Sequence, residues 1–362
     1  VFDFSLLDAQ SSDPVDPDEF VRAAMQWHFD PATGSRFWLD RAKDLDFDPV
    51  SDVKGFADLR LFPNLINELR DVAVEDLIPA GIVDPKIQGV YESGGTTGAP
   101  KRVVFHAEWL DFVISLLVDV VDREGFPAGG NWLTLVPTGP HMIGEFGRQL
   151  AERHGGIRFS VDFDPRWVKK VIARGDMAEA DAYADHIVNQ AADILRTQDV
   201  KVLVTTPPLL ERMVRDDELL ELIQRKVKAI IWGGAHMDAD SRHLFRTQVL
   251  PTVKLLGFYC STTVLGGSQE RSDTVDDRCV FDPMSHHISF EVIDPETGRH
   301  VSYGERGQVV MHHLSKFMLL PNNLERDTAI RIQPRSGQLG DSVADVQPVA
   351  SFDNAAVIEG VY

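Results

Sequence analysis

Glu92-Ser93-Gly94-Gly95-Thr96-Thr97-Gly98-Ala99-Pro100-Lys101 sets three glycines, two threonines and a serine in six consecutive positions, Ser93 to Gly98, with a lysine just beyond. Glycine lets backbone N–H groups come close to an anion, and hydroxyls and a lysine add further donors. Two readings stand at this point: a phosphate-gripping loop and a mobile polar turn. It is not the common P-loop, which needs Gly-Lys-Ser/Thr opening a helix, because Pro100 precedes Lys101. Nor do Gly94, Gly95 and Gly98 have the spacing of the dinucleotide fingerprint. Segments at set distances downstream decide between the two readings.

Outward from the loop, the chain has the texture of an α/β protein. Trp132–Val136, Val202–Val204 and Ala229–Trp232 are apolar runs that read as buried strands. Each ends in a turn, at Pro137-Thr138-Gly139-Pro140, at Thr205-Thr206-Pro207-Pro208 and at Gly233-Gly234. Helical periodicity over 178–198 and 208–226 separates them. Ligands in such sheets sit beyond the carboxyl ends of the strands, where these turns fall. Residues 1–75 read as a helical lead-in, with amphipathic stretches at Phe20–Phe29 and Leu65–Val74. From Cys279 to Met311 the pattern is β-rich, with the turn Asp294-Pro295-Glu296-Thr297-Gly298 between two strands.

The 362 residues are enough for about two domains, with 43% hydrophobic and 25% charged residues. A net charge of −20 argues against nucleic-acid or anionic-membrane binding, though a local cluster of donors can still hold an anionic substrate. Two cysteines, Cys260 and Cys279, make no disulfide framework and fit a reducing, cytoplasmic compartment. No apolar run has the length of a membrane span. The chain opens on Val1 without a signal peptide's basic region, and the expectation is that it begins inside a longer protein.

Five segments in order resemble the adenylate-forming superfamily, in particular its phenylacetate–CoA ligase-like branch, over roughly residues 60–360. The opening loop is similar to the family's Ser-Gly-Thr-Thr-Gly-x-Pro-Lys pattern, extended by Gly95, so Ser93, Gly94, Gly95, Thr96, Thr97, Gly98 and Lys101 are expected around the ATP phosphates. Pro137–Gly144 resembles the segment beside the acyl pocket, with His141 and Gly144 as pocket residues; a helix-start histidine without a ligand role is the other reading. Trp232-Gly233-Gly234-Ala235 resembles the strand-end turn on which adenine rests, with Trp232 beside the acid. A tight strand–helix turn alone would also ask for Gly-Gly.

Phe258–Gly266 resembles the Tyr-Gly-x-Ser/Thr-Glu segment. It puts Tyr259 on the adenine, Thr262 at the α-phosphate or acyl carboxylate, and Thr263 where the family has a magnesium-binding Glu. A neutral hydroxyl is a poor ligand for a hard dication, which places Mg2+ binding by the usual route in question. Pro321–Ala329 resembles Pro-x-x-Arg-Tyr-Arg-Thr-x-Asp, with Asp327 on the ribose hydroxyls and Asp341 as its rival. Phe352–Gly360 resembles the hinge, with Asp353 at the pivot and Ala350-Ser351 in place of its Gly-Arg. Some members carry a Cys/His zinc site, but the spacing of Cys260, Cys279, His286 and His287 is irregular, and a metal is not expected.

The resemblance implies the large N-terminal domain of an adenylate-forming enzyme: two mixed sheets with flanking helices and a small β-rich subdomain. Its expected parts are a lead-in (1–75), an AMP-binding core (76–278), a β-rich subdomain (279–350) and a hinge remnant (351–362), without the family's C-terminal domain and its lysine. It implies ATP-dependent activation of a carboxylic acid, aromatic in this branch, as an acyl-adenylate for CoA, a carrier protein or an amine. The implied cofactors are ATP or AMP and Mg2+. The competing expectation is a degenerate nucleotide- or adenylate-binding protein, suggested by Thr263, Ser351 and the missing domain.

Overall fold

The computed structural model describes residues 4–10, 13–93, 99–274, 278–349, 351–352 and 355–356. The chain opens with α1 (Pro17–Phe29), α2 (Arg36–Arg41) and α3 (Pro49–Asp52). Asp16 caps α1 by accepting from the Asp18 and Glu19 N–H groups, and Pro17 takes the first helical position, where no N–H is needed. The helical expectation at Leu65–Val74 is met only by short 3₁₀ turns at Glu68–Arg70 and Val74–Leu77. A longer helix there would have to nucleate just after Pro63; Leu65, Ile66 and Leu69 are buried without it.

A hairpin, β1 (Ile87–Glu92) and β2 (Arg102–His106), carries the glycine–threonine loop at its tip and leads into α4 (Ala107–Arg123). The α/β part continues as β3 (Asn131–Thr134), α5 (Met142–Arg153), β4 (Arg158–Ser160), α6 (Pro165–Ala173), α7 (Met177–Thr197) and β5 (Val200–Thr205). Next come α8 (Pro207–Val214), α9 (Asp217–Lys226), β6 (Ala229–Gly233), α10 (Ala239–Leu244) and β7 (Lys254–Ser261). Strands β3 to β7 pair in parallel in the order β4-β3-β5-β6-β7. All five residues of β6 are buried, as expected for a strand covered by helices on both faces. The single helix expected over 208–226 is broken into two, because Asp216 caps a new start by accepting from the Leu219 N–H.

From β8 (Gly266–Glu270) the sheet turns antiparallel, through β9 (Val280–Pro283), β10 (Ile288–Ile293), β11 (Arg306–Leu314), β12 (Leu319–Ile332) and β13 (Ser342–Pro348). A last short pair, β14 (Ser351–Phe352) and β15 (Ala355–Ala356), stands apart. Strand β9 pairs with both β8 and β13, so the two expected mixed sheets are joined edge to edge. Among the described residues they form one eleven-stranded sheet, β10-β11-β12-β13-β9-β8-β7-β6-β5-β3-β4. Its main core runs from Trp109 and Trp132 to Phe290 and Met311, while α1 and α2 pack a second cluster around Phe20, Trp38 and Phe62 against Leu314 and Leu319. No helix among the described residues is long and apolar enough to cross a membrane.

Candidate nucleotide and acid cavity

A cavity of about 630 Å³ opens where the parallel strands end. Lys101, Ser93, His141, Trp232, Gly233, Gly234, Ala235, Tyr259, Thr262, Thr263 and Asp327 all line it. Five separate segments thus converge on one space. Gly94, Gly95, Thr96, Thr97 and Gly98, and the hinge residue Asp353, lie outside the described residues.

The described base of the loop is pinned by two contacts between its ends. Ser93 N–H donates to the Lys101 carbonyl at 3.0 Å, and Lys101 N–H donates to Ser93 Oγ at 3.2 Å. Glu92, just before it, accepts from Arg102 at 3.0 Å and also from Arg166 of α6. Its own N–H donates to the Pro140 carbonyl, tying the hairpin to the turn before α5.

That turn holds His141 at the start of α5. Burial, then the Arg166 charge, pushes the His141 pKa down to about 4, so the ring is neutral at neutral pH. Gly144 does not line the cavity. A Cβ there would sit 2.2 Å from the Pro137 carbonyl oxygen, so its smallness serves the close approach of helix and turn. Phe146, Gly147 and Leu150 of the same helix line the cavity instead.

At the end of β6, two different demands select glycine. A Cβ on Gly233 would come 2.7 Å from the Phe258 carbonyl oxygen, and Gly234 has a φ of +77°. The turn leaves bare backbone facing the cavity beside His236, whose Nδ1 lies 2.7 Å from the Val346 carbonyl oxygen.

Strands β7 and β12 lie four places apart in the sheet, which curves enough to bring their side chains together. The Tyr259 hydroxyl donates to Asp327 Oδ2 at 2.9 Å. Burial, reinforced by the facing Asp327 carboxylate, raises the Tyr259 pKa well above its ordinary value and keeps the phenol protonated. Two residues after Tyr259 and two before Asp327, Ser261 Oγ donates to Glu325 Oε1 at 2.8 Å. Thr263 Oγ1 donates to the same oxygen at 3.3 Å, and Asn323 Nδ2 at 2.7 Å. The Thr262 side chain makes no hydrogen bond among the described residues and lines the cavity between these pairs. Asp341, the rival of Asp327, is buried in another role: its carboxylate accepts from Arg331 Nε at 2.9 Å and from Val292 N–H at 3.2 Å.

Sequence reasoning passed over Glu325, Arg326 and Asn323, which line the cavity from β12. A strand places residues two apart on one face, so Asp327 could have pointed back to Glu325 and Asn323. It also passed over Lys169 of α6, whose pKa is pushed down to about 7 by burial and then by Arg326 and Arg166. The cysteines and histidines considered for zinc do not make a common set: His286 Nε2 lies by the Asp13 carbonyl oxygen and His287 Nε2 by that of Leu7. Burial pushes the Cys260 and Cys279 thiols up to about 12, and no metal-holding group of three or more His, Cys, Asp or Glu occurs among the described residues.

No family model matches the sequence, and no curated protein matches it. Solved structures do match. A 2-hydroxyisobutyryl-CoA ligase in complex with 2-HIB-AMP and CoA in the thioesterification state is similar at a TM-score of 0.64 and 16% identity, over 93% of this chain and 69% of that one. The same ligase in the postadenylation state with 2-HIB-AMP matches at 0.63 and 15%, over 90% of this chain and 65% of that one. An anthranilate CoA ligase in complex with anthranoyl-AMP matches at 0.50 and 13%, over 71% and 46%. The chain thus spans 65% of the length of the postadenylation-state ligase that it resembles. Over the matched part, it has the mixed α/β fold of these CoA ligases, with one large sheet and flanking helices.

Proposed function

We propose that this cavity takes ATP and a carboxylic acid and joins them as an acyl-adenylate. The observation that carries the reading is the Tyr259–Asp327 pair, an aromatic ring and a carboxylate held together by a 2.9 Å hydrogen bond in a cavity also lined by the bare Gly233–Ala235 backbone. A flat base needs a ring and open backbone; a ribose needs an acceptor for two hydroxyls, which a carboxylate is.

In this reading the adenine lies between Tyr259 and the Gly233–Ala235 turn, and Asp327 accepts from the ribose hydroxyls. The triphosphate runs toward Ser93 and Lys101, and the carboxylate of the acid sits by Thr262. One acid oxygen attacks the α-phosphorus. A new O–P bond forms, the bond to the β-phosphate oxygen breaks, and pyrophosphate leaves with the electron pair. No proton need move and no side chain becomes acylated. The chain contributes positioning and charge neutralisation. ATP brings Mg2+, which neutralises charge on its phosphates. Lys101 and Arg326 bring positive charge into the cavity wall in a chain whose net charge is −20.

The acid we propose is aromatic. Phe146, Trp232, Phe258 and Phe281 line the cavity, and the neutral His141 ring adds a flat polar edge. A CoA thiol is the proposed acceptor, by analogy with the ligase that carries CoA beside its adenylate. The test is acid-dependent ATP–pyrophosphate exchange over a panel of aryl and alkyl acids, with hydroxylamine trapping of the acyl group. Exchange with aryl acids supports the proposal. No exchange with any acid, alongside measurable AMP binding, would leave the chain a binder of nucleotides and not an adenylating enzyme.

A further inference from the structure

Thr263 stands where the Tyr-Gly-x-Ser/Thr-Glu pattern has its carboxylate. Strand β12 supplies a carboxylate close by: Glu325 stands two residues before Asp327, on the same face of the strand. The structure puts Thr263 and Glu325 side by side, with Thr263 Oγ1 3.3 Å from Glu325 Oε1. A hydroxyl and a carboxylate therefore meet at one point of the cavity wall.

The carboxylate is held in place. Oε1 takes hydrogen bonds from Ser261 Oγ at 2.8 Å and Asn323 Nδ2 at 2.7 Å as well as from Thr263. Oε2 accepts no hydrogen bond among the described residues, and Glu325 lines the cavity. Mg2+ bound with nucleotide uses one or two carboxylates, phosphate oxygens and several waters. Hydrogen-bond partners that fix the liganding carboxylate are the usual support for such a site. The residues present therefore fit the ion, although Thr263 alone does not.

We propose that Glu325 holds the divalent cation that accompanies the triphosphate, a task moved from the segment after Tyr259 to strand β12. This rests on the nucleotide reading above. It also removes one of the grounds for regarding the chain as degenerate, because the carboxylate thought lost is supplied from elsewhere.

E325Q keeps an acceptor for Ser261 and Asn323 but loses the charge. Calorimetric titrations of AMP, ATP and ATP with Mg2+ into wild type, E325Q, E325D and T263E/E325Q test the assignment. Wild type should bind ATP at least ~10-fold more tightly with Mg2+ than without it, and E325Q should lose that gain. AMP, which needs no cation, should bind both alike, and T263E/E325Q should regain the Mg2+ effect. Electron paramagnetic resonance of Mn2+ should show ATP-dependent binding in wild type that E325Q lacks. A full Mg2+ gain in E325Q with normal AMP binding would overturn the assignment. If E325Q does not fold, E325D decides: a reduced gain supports the proposal and an undiminished one overturns it. Failure of wild type to bind either AMP or ATP would instead overturn the nucleotide reading itself, and the assignment with it.

Discussion

A tyrosine hydroxyl and a carboxylate at 2.9 Å form the most informative contact in the cavity, because each has a second task in the proposed complex. The Tyr259 ring supplies a stacking face, and its hydroxyl holds Asp327 toward the ribose. These tasks separate by mutation. Y259F keeps the face and loses the donor, which should weaken AMP binding roughly 3- to 10-fold, the effect of one ordinary hydrogen bond. Y259A loses the face as well, and base stacking on an aromatic ring is worth about 1–3 kcal/mol, so it should bind about 10-fold more weakly again. Calorimetry with AMP reads both steps. Equal affinities for Y259F and Y259A would remove the stacking role.

At the scale of elements, the site depends on how closely β7 and β8 approach. A Cβ on Gly267 would lie 2.2 Å from the Tyr259 carbonyl oxygen and 2.5 Å from Cys260 Cα. G267A must push the two strands apart, at a cost of about 1–3 kcal/mol, and carry Tyr259 away from Asp327. Thermal midpoint and AMP affinity should fall together. G298A is the control: nothing lies within 4 Å of the added Cβ, and only the positive φ of that residue, +67°, disfavours the change. It should lower the midpoint slightly and leave AMP binding unchanged. Unequal legibility has the same physical origin. Strands β3, β5 and β6 are readable because burial on both faces demands unbroken apolar runs. The joining of β9 to β13 is not, because it rests on pairs some sixty residues apart, Phe281 with Val343 and Val280 with Ala344. Segments that line the cavity are readable where glycine, proline and threonine cluster at strand ends. Glu325 is not, because its partner Thr263 comes from the turn after β7, a strand four places away in the sheet.

Across the whole molecule, buried histidines set the response to acid. His28, His287 and His313 are enclosed between the lead-in helices and the sheet, and burial pushes their pKa values down to about 4, 4 and 3. Each is neutral in the fold and gains a proton on unfolding below about pH 6.5, its ordinary pKa. The unfolded chain therefore binds more protons between pH 6.5 and about 4, and stability falls as pH falls through that window. Each unit of depression is worth about 1.4 kcal/mol at full effect. Urea midpoints measured from pH 7.5 down to 4 should decline progressively from about pH 6.5. In H28Q the decline should be shallower, and an unchanged slope would exclude His28 as a contributor. The cavity wall mixes charges, with Arg70, Lys101, Arg278 and Arg326 set among Glu92, Asp238, Asp240, Glu325, Asp327 and Asp345 in a chain of net −20. The basic members of that wall are what an anionic ligand would require, and the adenylate reading stands or falls on such a ligand. The most direct measurement is a calorimetric titration of AMP into wild type and D327A. Binding at a single site is expected in wild type, weakened at least ~10-fold in D327A by loss of the ribose acceptor. No AMP binding to wild type, or equal affinity in D327A, would contradict the adenylate reading.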